Sequence, residues 1–361
     1  MSKRLNSICT YRNEKSPISE IDPDTYISTD SMLSNRGGFS STRSLPPASK
    51  VSLYKVGDTL VSNIRPYFKK IWLSDRNGGC SNDILIFRPN ANCDSEYLYW
   101  LLSSDTFFNY MMATSKGTKM PRGDKLAIMH YKVPNYSVEV QKRIVCILHP
   151  IQKKIALNRN INGYLAELCE TIASKYCETG DARLEDICYL VTERFDYTGA
   201  DLDTYVSTES LLQNKQGRQP AASLPTTGKV TRYKTGDTLV SNIRPYFKKV
   251  WYAPFDGTCS GDVLVFRAKD SFLSPYLYAC LRQDRFFDHV MRGSKGTKMP
   301  RGDKKQLMDF RVSITCENKD VGLLIAAVQV IAANAAESEG LVKLRDALLP
   351  KLMSGEIYTA T

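Results

Sequence analysis

Two strings of side chains able to hold a phosphate or read a base edge each occur twice in this chain, unaltered. GDTLVSNIRPYFKK runs from Gly57 to Lys70 and returns at Gly236 to Lys249, and SKGTKMPRGDK runs from Ser115 to Lys125 and returns at Ser294 to Lys304, so that 236 − 57 and 294 − 115 both equal 179 residues. The donors in the first copy are Ser62, Asn63, Arg65, Tyr67, Lys69 and Lys70, then Lys116, Thr118, Lys119, Arg122 and Lys125. Their repeats are Ser241, Asn242, Arg244, Tyr246, Lys248 and Lys249, then Lys295, Thr297, Lys298, Arg301 and Lys304. Arginine bonds guanine and asparagine bonds adenine in bidentate fashion at base edges, whereas lysine, serine and threonine mostly hold phosphates. Part of the first string has a plainer use. Leu60, Val61, Ile64 and Trp72 read as core and Gly57-Asp58 as a turn, so roughly half of its identity preserves fold. The second string, with four basic residues, two glycines and little apolar content, has little to bury and reads as a nucleic-acid contact.

Catalytic chemistry is not legible beside these donors. Thr226 to Val230, TTGKV, has the Gly-Lys of a phosphate-binding loop but not the rest of it. Asn63 to Phe68, NIRPYF, resembles the Asn-Pro-Pro-Tyr turn of amino-methyltransferases, but Ile64 and Arg65 stand where the first proline should be. The three histidines, His130, His149 and His289, are not repeated, and the ten cysteines include no Cys-x-x-Cys pair, so neither a triad nor a zinc site is offered. The Arg-Gly-Asp at Arg122 and Arg301 invites an adhesion reading that a cytoplasmic chain would not use.

The charge follows the repeat. Of a net +11, residues 1–137 carry 18 basic and 12 acidic side chains and residues 181–316 carry 21 and 16, while the stretches after them are close to balanced. Excess positive charge on the repeated blocks is what contact with a polyanion requires. The N-terminus MSKRLNSICTYRNEK lacks the apolar core of a signal peptide, and the longest apolar run, Val321 to Ala336, is interrupted by Gln329 and Asn334, so no membrane span is expected. Free thiols and a reducing cytoplasm follow.

The elements that must position these strings can be read from their periods. TLVSNIR alternates, with Leu60, Ser62 and Ile64 on one face and Val61, Asn63 and Arg65 on the other, and Ile84 to Phe87 forms a second strand after the Gly78-Gly79 turn. Leu98, Leu101, Leu102, Phe108 and Met112 recur at helical intervals, predicting one helix that delivers the chain into the second string. Beyond each block comes a heptad pattern. Ile144, Ile151, Asn158, Leu165 and Ile172 are seven apart, with Ile147, Ile161 and Leu168 as companions, a series that Lys154 breaks. Asn158 is the polar residue that would fix register, Pro150 should start or kink the helix, and Leu341, Leu344, Leu348 and Asn334 repeat the pattern at an interval of 176. Two such helices in one chain most simply pair with each other.

This order of blocks and helices, the strings GDTLVSNIRPYFKK and GGCSNDILIF, and the ending LRDALLPKLMSGEI at Leu344 to Ile357 resemble the specificity subunit of type I restriction-modification enzymes, over the whole chain. The resemblance implies an α/β (α+β) fold with two mixed target-recognition domains in tandem, residues 1–137 and 181–318. Two long helices, 138–180 and 319–361, would form an antiparallel coiled coil between them. It further implies double-stranded DNA, two methyltransferase subunits and restriction subunits as partners. No cofactor would sit on this chain; S-adenosylmethionine, ATP and magnesium would belong to the partner subunits, and the chain itself would not be an enzyme. Because the same donors are repeated, the expected target is bipartite with inverted, near-identical halves. The exception is Asn35 to Lys50 against Asn214 to Lys229, where Phe39 faces Arg218 and Arg43 faces Ala222; if that loop reads bases, the halves differ. The other reading of the pattern is a stand-alone coiled-coil scaffold or DNA-binding regulator whose basic blocks are incidental.

Overall fold

The computed structural model describes residues 2–39, 45–178, 180–294, 296 and 298–357. It divides into two compact units, residues 1–154 with 340–361, and residues 155–339. Both boundaries fall inside the long helices, so each unit holds one block together with a segment of each helix.

In the first unit a four-stranded antiparallel sheet has the order Cys9–Tyr11, Ile84–Pro89, Thr59–Ser62, Ile71–Leu73. A three-stranded sheet, Lys15–Pro17, Lys50–Tyr54, Gly78–Cys80, packs on one of its faces, where Leu60, Ile84 and Ile86 meet Tyr54, Cys80 and Ile27. Val61, Leu85 and Phe87 on the other face meet Leu98, Leu102 and Phe107 of the helices. The strand Thr59–Ser62 is therefore buried on both faces, and its alternation does not separate core from solvent. Ser62 shares the inner side with Leu60. The second unit repeats this, with Cys188–Leu190, Val263–Ala268, Thr238–Ser241, Val250–Tyr252 in one sheet and Arg194–Asp196, Lys229–Tyr233, Gly257–Cys259 in the other. The turn before the central strand is clamped in each unit by an ion pair to a buried aspartate. Arg12 reaches Asp58 at 2.5 Å in the first, whereas Arg267 reaches Asp237 at 2.6 Å in the second.

Two expectations about helices are corrected. The helix expected across Leu98 to Met112 is two helices, Ser95–Ser103 and Asp105–Ala113. Ser104 leaves helical geometry (ψ 147°), and its hydroxyl caps the second helix by accepting from Phe107 N. A serine followed by aspartate in the first turn favours that cap over continuation. Pro150, expected to start or kink the long helix, does not start it: it lies inside one that runs from Val138 to Glu178. The carbonyl of Cys146 loses its helical donor there, but Cys146 and Pro150 are both exposed, so water can serve it.

The seam is also shifted. Ile144, Asn158 and Ile172 are buried, but the companions Ile147 and Leu168 are exposed; the second buried series is Leu148, Ile155 and Cys169, with half-buried Asn162 and Tyr176, four residues on rather than three. Lys154 is outside this seam and breaks nothing. In the first unit, Ile144 and Leu148 join Leu349, Leu352 and Met353 of Asn318–Ser354 in the core beneath Tyr97 and Leu98. Gln152 accepts from Arg345, and the Tyr136 hydroxyl donates to the Met353 carbonyl, so the segments run antiparallel. In the second unit the Asn158 amide donates to the Asn334 carbonyl, Glu337 Oε2 (2.7 Å) and Ser338 Oγ, while Asn334 donates to Asn162 Oδ1 (2.9 Å). Asn158 thus fixes register, as its heptad position predicts, and Asn162 shares the task.

By length and composition alone, Asn318–Ser354 is apolar enough to cross a membrane, with a window of mean hydropathy 1.6. The sequence reading offered no such span. Alanine-rich seams raise mean hydropathy, and within the second unit Val321, Leu324, Ala327 and Val328 belong to the packed core and its margin.

Candidate nucleic-acid interface

The two repeated strings are separated in sequence, the first ending at Lys70 and the second beginning at Ser115, and the fold closes them on each other. After Ser62 the chain leaves the sheet: Asn63 N donates to the Asp83 carbonyl, and the Ser62 hydroxyl donates to the Ile64 carbonyl. Arg65 then takes a left-handed conformation (φ 50°), Pro66–Phe68 form one turn of 3-10 helix, and Lys69 is left-handed again (φ 50°). The second string leaves the helix Asp105–Ala113 and folds back through left-handed Gly117, so that Lys116 and Arg122 exchange two backbone bonds of 2.9 and 3.0 Å. Ile64 is bridged to Arg122, Arg65 N donates to the Pro121 carbonyl at 2.9 Å, and Gly123 N donates to the Asn63 carbonyl. In the second unit Ile243 is bridged to Arg301, Arg244 N donates to the Pro300 carbonyl at 2.8 Å, and Gly302 N donates to the Asn242 carbonyl. Lys295 and Thr297 lie outside the described residues.

The Arg-Gly-Asp triplet has a packing reason. A Cβ on Gly123 would stand 2.9 Å from Asn63 Oδ1 and from Ile128, so only glycine allows the approach. Asp124 caps the next helix, its carboxylate accepting from Leu126 N and Ala127 N.

The side chains of the predicted site residues divide into three groups. Ser62 and Ser241 are turned inward, 2% and 4% exposed, with hydroxyls bound to Ile64 and Ile243 carbonyls. Asn63 is 8% exposed, and in both copies the asparagine Oδ1 and the arginine Nε of Arg65 and Arg244 are buried without a hydrogen-bond partner. A second group is exposed or half-buried and restrained by carboxylates. Lys116 sits 2.6 Å from Asp124, Arg122 and Arg301 sit 3.1 Å from Asp83 and Asp262, and Lys69 and Lys248 sit 2.9 Å from Asp105 and Asp284. The Lys116 ammonium holds the Asp124 carboxyl below its ordinary range. The third group is open to solvent: Thr118, Lys119 and Lys298, which form no ion pair among the described residues, and Tyr67 and Tyr246, 48% and 47% exposed. Lys70 and Lys249 turn inward instead, donating to the Thr29 and Thr208 carbonyls, and burial lowers the pKa of both ammoniums. Among the described residues, no group of three or more His, Cys, Asp or Glu is placed to hold a metal.

Sequence reasoning missed the carboxylates Asp83, Asp105 and Asp124, although each recurs 179 residues on as Asp262, Asp284 and Asp303. It also missed what compensates the loop difference. Phe39 packs on Trp72 at 4.6 Å with Arg76 over its ring at 5.6 Å, whereas Arg218 lies over Trp251 at 5.2 Å and over Phe255 at 4.9 Å. Positions 76 and 255 are themselves 179 apart, so the aromatic and the arginine have exchanged places around the same tryptophan. Arg43, the other loop difference, lies outside the described residues.

Fold and site together define a tandem α/β binding protein whose repeated donors are gathered along one edge of each unit. Residues 1–167 match the family described as type I restriction modification DNA specificity domain. The HindI specificity subunit of Haemophilus influenzae is 30% identical over 158 residues, 41% of this chain and 34% of that protein. The EcoDI specificity subunit of Escherichia coli is 29% identical over 104 residues, 29% of this chain and 23% of that one. The matched segments thus span about a third and a quarter of those relatives' own lengths. The fold is also that of the type I restriction-modification system S subunit from M. genitalium, with TM-score 0.56 at 13% identity over 98% of this chain and 96% of that one. Through residues 1–167 the chain is similar to the specificity subunits of type I restriction-modification systems.

Proposed function

We propose that this chain reads double-stranded DNA for a type I restriction-modification complex, each unit reading one half of a bipartite target, and that it directs methyltransferase and restriction subunits to that target. The observation that carries this reading is the closure of the two unaltered strings onto one edge, Arg65 on Pro121 and Arg244 on Pro300, in both units. The chain contributes no catalytic residue. S-adenosylmethionine, ATP and magnesium serve the partner subunits, and the complex works in the cytoplasm beside the DNA.

The described donors are the same in both units, and the Phe39–Arg76 and Arg218–Phe255 exchange keeps the difference between Phe39 and Arg218 internal to the fold. The target is therefore two copies, or near copies, of one short word, inverted as the family's arrangement implies, with unread base pairs between. Genome-wide mapping of methylated adenines by long-read sequencing, with this subunit supplied to its methyltransferase, tests the reading. A bipartite motif with matching inverted halves is expected. Two unrelated halves would refute the shared word, and no motif dependent on this chain would refute the function.

A further inference from the structure

The turn Pro66–Phe68 is held more tightly than its length requires. Non-glycine residues seldom take positive φ, and such strain gathers at functional positions. In the first unit the described residues that do so are Asn35, Arg36, Arg65 and Lys69, and all four meet here, because Asn35 N and Arg36 N donate to the Phe68 and Lys69 carbonyls at 2.8 and 2.9 Å. The second unit repeats the arrangement with Asn214, Lys215, Arg244 and Lys248. What the strained turn presents is apolar: Tyr67 and Phe68 lie ring against ring at 4.6 Å, 48% and 37% exposed, and Tyr246 and Phe247 also lie at 4.6 Å. Beside Pro121, the residue that Arg65 binds, Met120 is 46% exposed, and Met299 is 48% exposed in the second unit. Lys116, Lys119 and Arg122 surround this tip in the sequence of the loop, so its charge suits a polyanion rather than an apolar protein face.

We propose that each arch is a wedge: Tyr67 with Phe68, and Tyr246 with Phe247, enter the base stack of the bound duplex at one step in each half-site and part-unstack it. Apolar and aromatic side chains flanked by cations do this in proteins that deform DNA, and a turn already fixed at both ends loses little freedom on insertion. The inference rests on the DNA-reading function above.

The test uses the assembled chain and methyltransferase on a duplex carrying the mapped target, with 2-aminopurine placed at successive positions. Fluorescence should rise at one step in each half-site apart from the methylated adenine. Replacing Tyr67→Ala with Phe68→Ala should abolish the rise in one half-site only, Tyr246→Ala with Phe247→Ala in the other only, and Tyr67→Phe should keep it. Thermal unfolding of each variant checks that the fold is kept. A duplex bound with no rise beyond the methylated adenine, or a rise that survives both alanine pairs, overturns the wedge and leaves the reading function standing. Loss of the methyltransferase from the alanine variants with the rise unchanged would make the arch a protein contact, also overturning it. Failure of the wild-type assembly to bind the duplex would instead refute the reading function.

Discussion

Lys119 and Lys298 make the cleanest electrostatic test, since they are exposed and form no ion pair among the described residues, whereas Lys116, Arg122 and Arg301 already face carboxylates. If each lysine neutralises one phosphate, the Lys119→Ala, Lys298→Ala double variant loses two released counterions, and the slope of log K against log salt should flatten by about 1.8, at about 0.9 per contact. Between 50 and 200 mM salt the wild-type assembly would then lose about 12-fold more affinity than the variant does. Lys55→Ala with Lys234→Ala removes the same charge from before the central strand of each unit, at the end opposite Asn63 and Asn242, and should leave the slope nearly unchanged. Replacing Asp83→Asn with Asp262→Asn should act in the opposite sense, because it frees Arg122 and Arg301 for phosphate. Fluorescence anisotropy with the mapped duplex, titrated at four or more salt concentrations, reads all three. Equal slopes for the Lys119/Lys298 and Lys55/Lys234 variants would refute the placement of phosphate at this loop.

Arg12→Ala should leave Asp58 buried and unpaired, destabilising the first unit by about 3 kcal/mol; amide exchange in Thr59–Ser62 should accelerate about 100-fold or more while Thr238–Ser241 stays protected, and uniform protection in both strands would contradict this. Asn158→Ala removes the donor shared by Asn334, Glu337 and Ser338 and should cost about 1–3 kcal/mol in urea unfolding; an unchanged midpoint would deny the amide its role in register. Phe39→Arg alone should destabilise the first unit, and adding Arg76→Phe should restore it with the methylation motif intact, as the second unit's arrangement implies; additive losses would mean that the exchange is not compensatory. Arg65→Ala with Arg244→Ala should relax one position in each half-site, with about 1–3 kcal/mol of discrimination lost if the guanidinium meets a base. An unaltered motif would leave those arginines to the fold.

The sequence alone determined the repeat, its period, the two blocks, the two long helices and the resemblance to a family, because identity and periodicity are properties of order along the chain. Asn158 could be picked as a register residue because a lone amide in an apolar heptad has few other uses. What only tertiary structure decided was which side of each residue faces what. Alternation in TLVSNIR does not distinguish a strand covered on one face from one covered on both, so Ser62 read as a donor although its hydroxyl is bound inside. The second series of the seam runs through Leu148, Ile155, Asn162, Cys169 and Tyr176, and the apolar Ile147, Ile161 and Leu168 offer a rival series along the chain that only packing rejects. The ion pairs of Lys69 with Asp105 and of Arg122 with Asp83, and the exchange of Phe39 and Arg76 for Arg218 and Phe255, are contacts between segments distant in sequence. Such contacts leave no period. They arise when the chain closes the second string onto the first, and that closure is what turns two separate sets of donors into one edge.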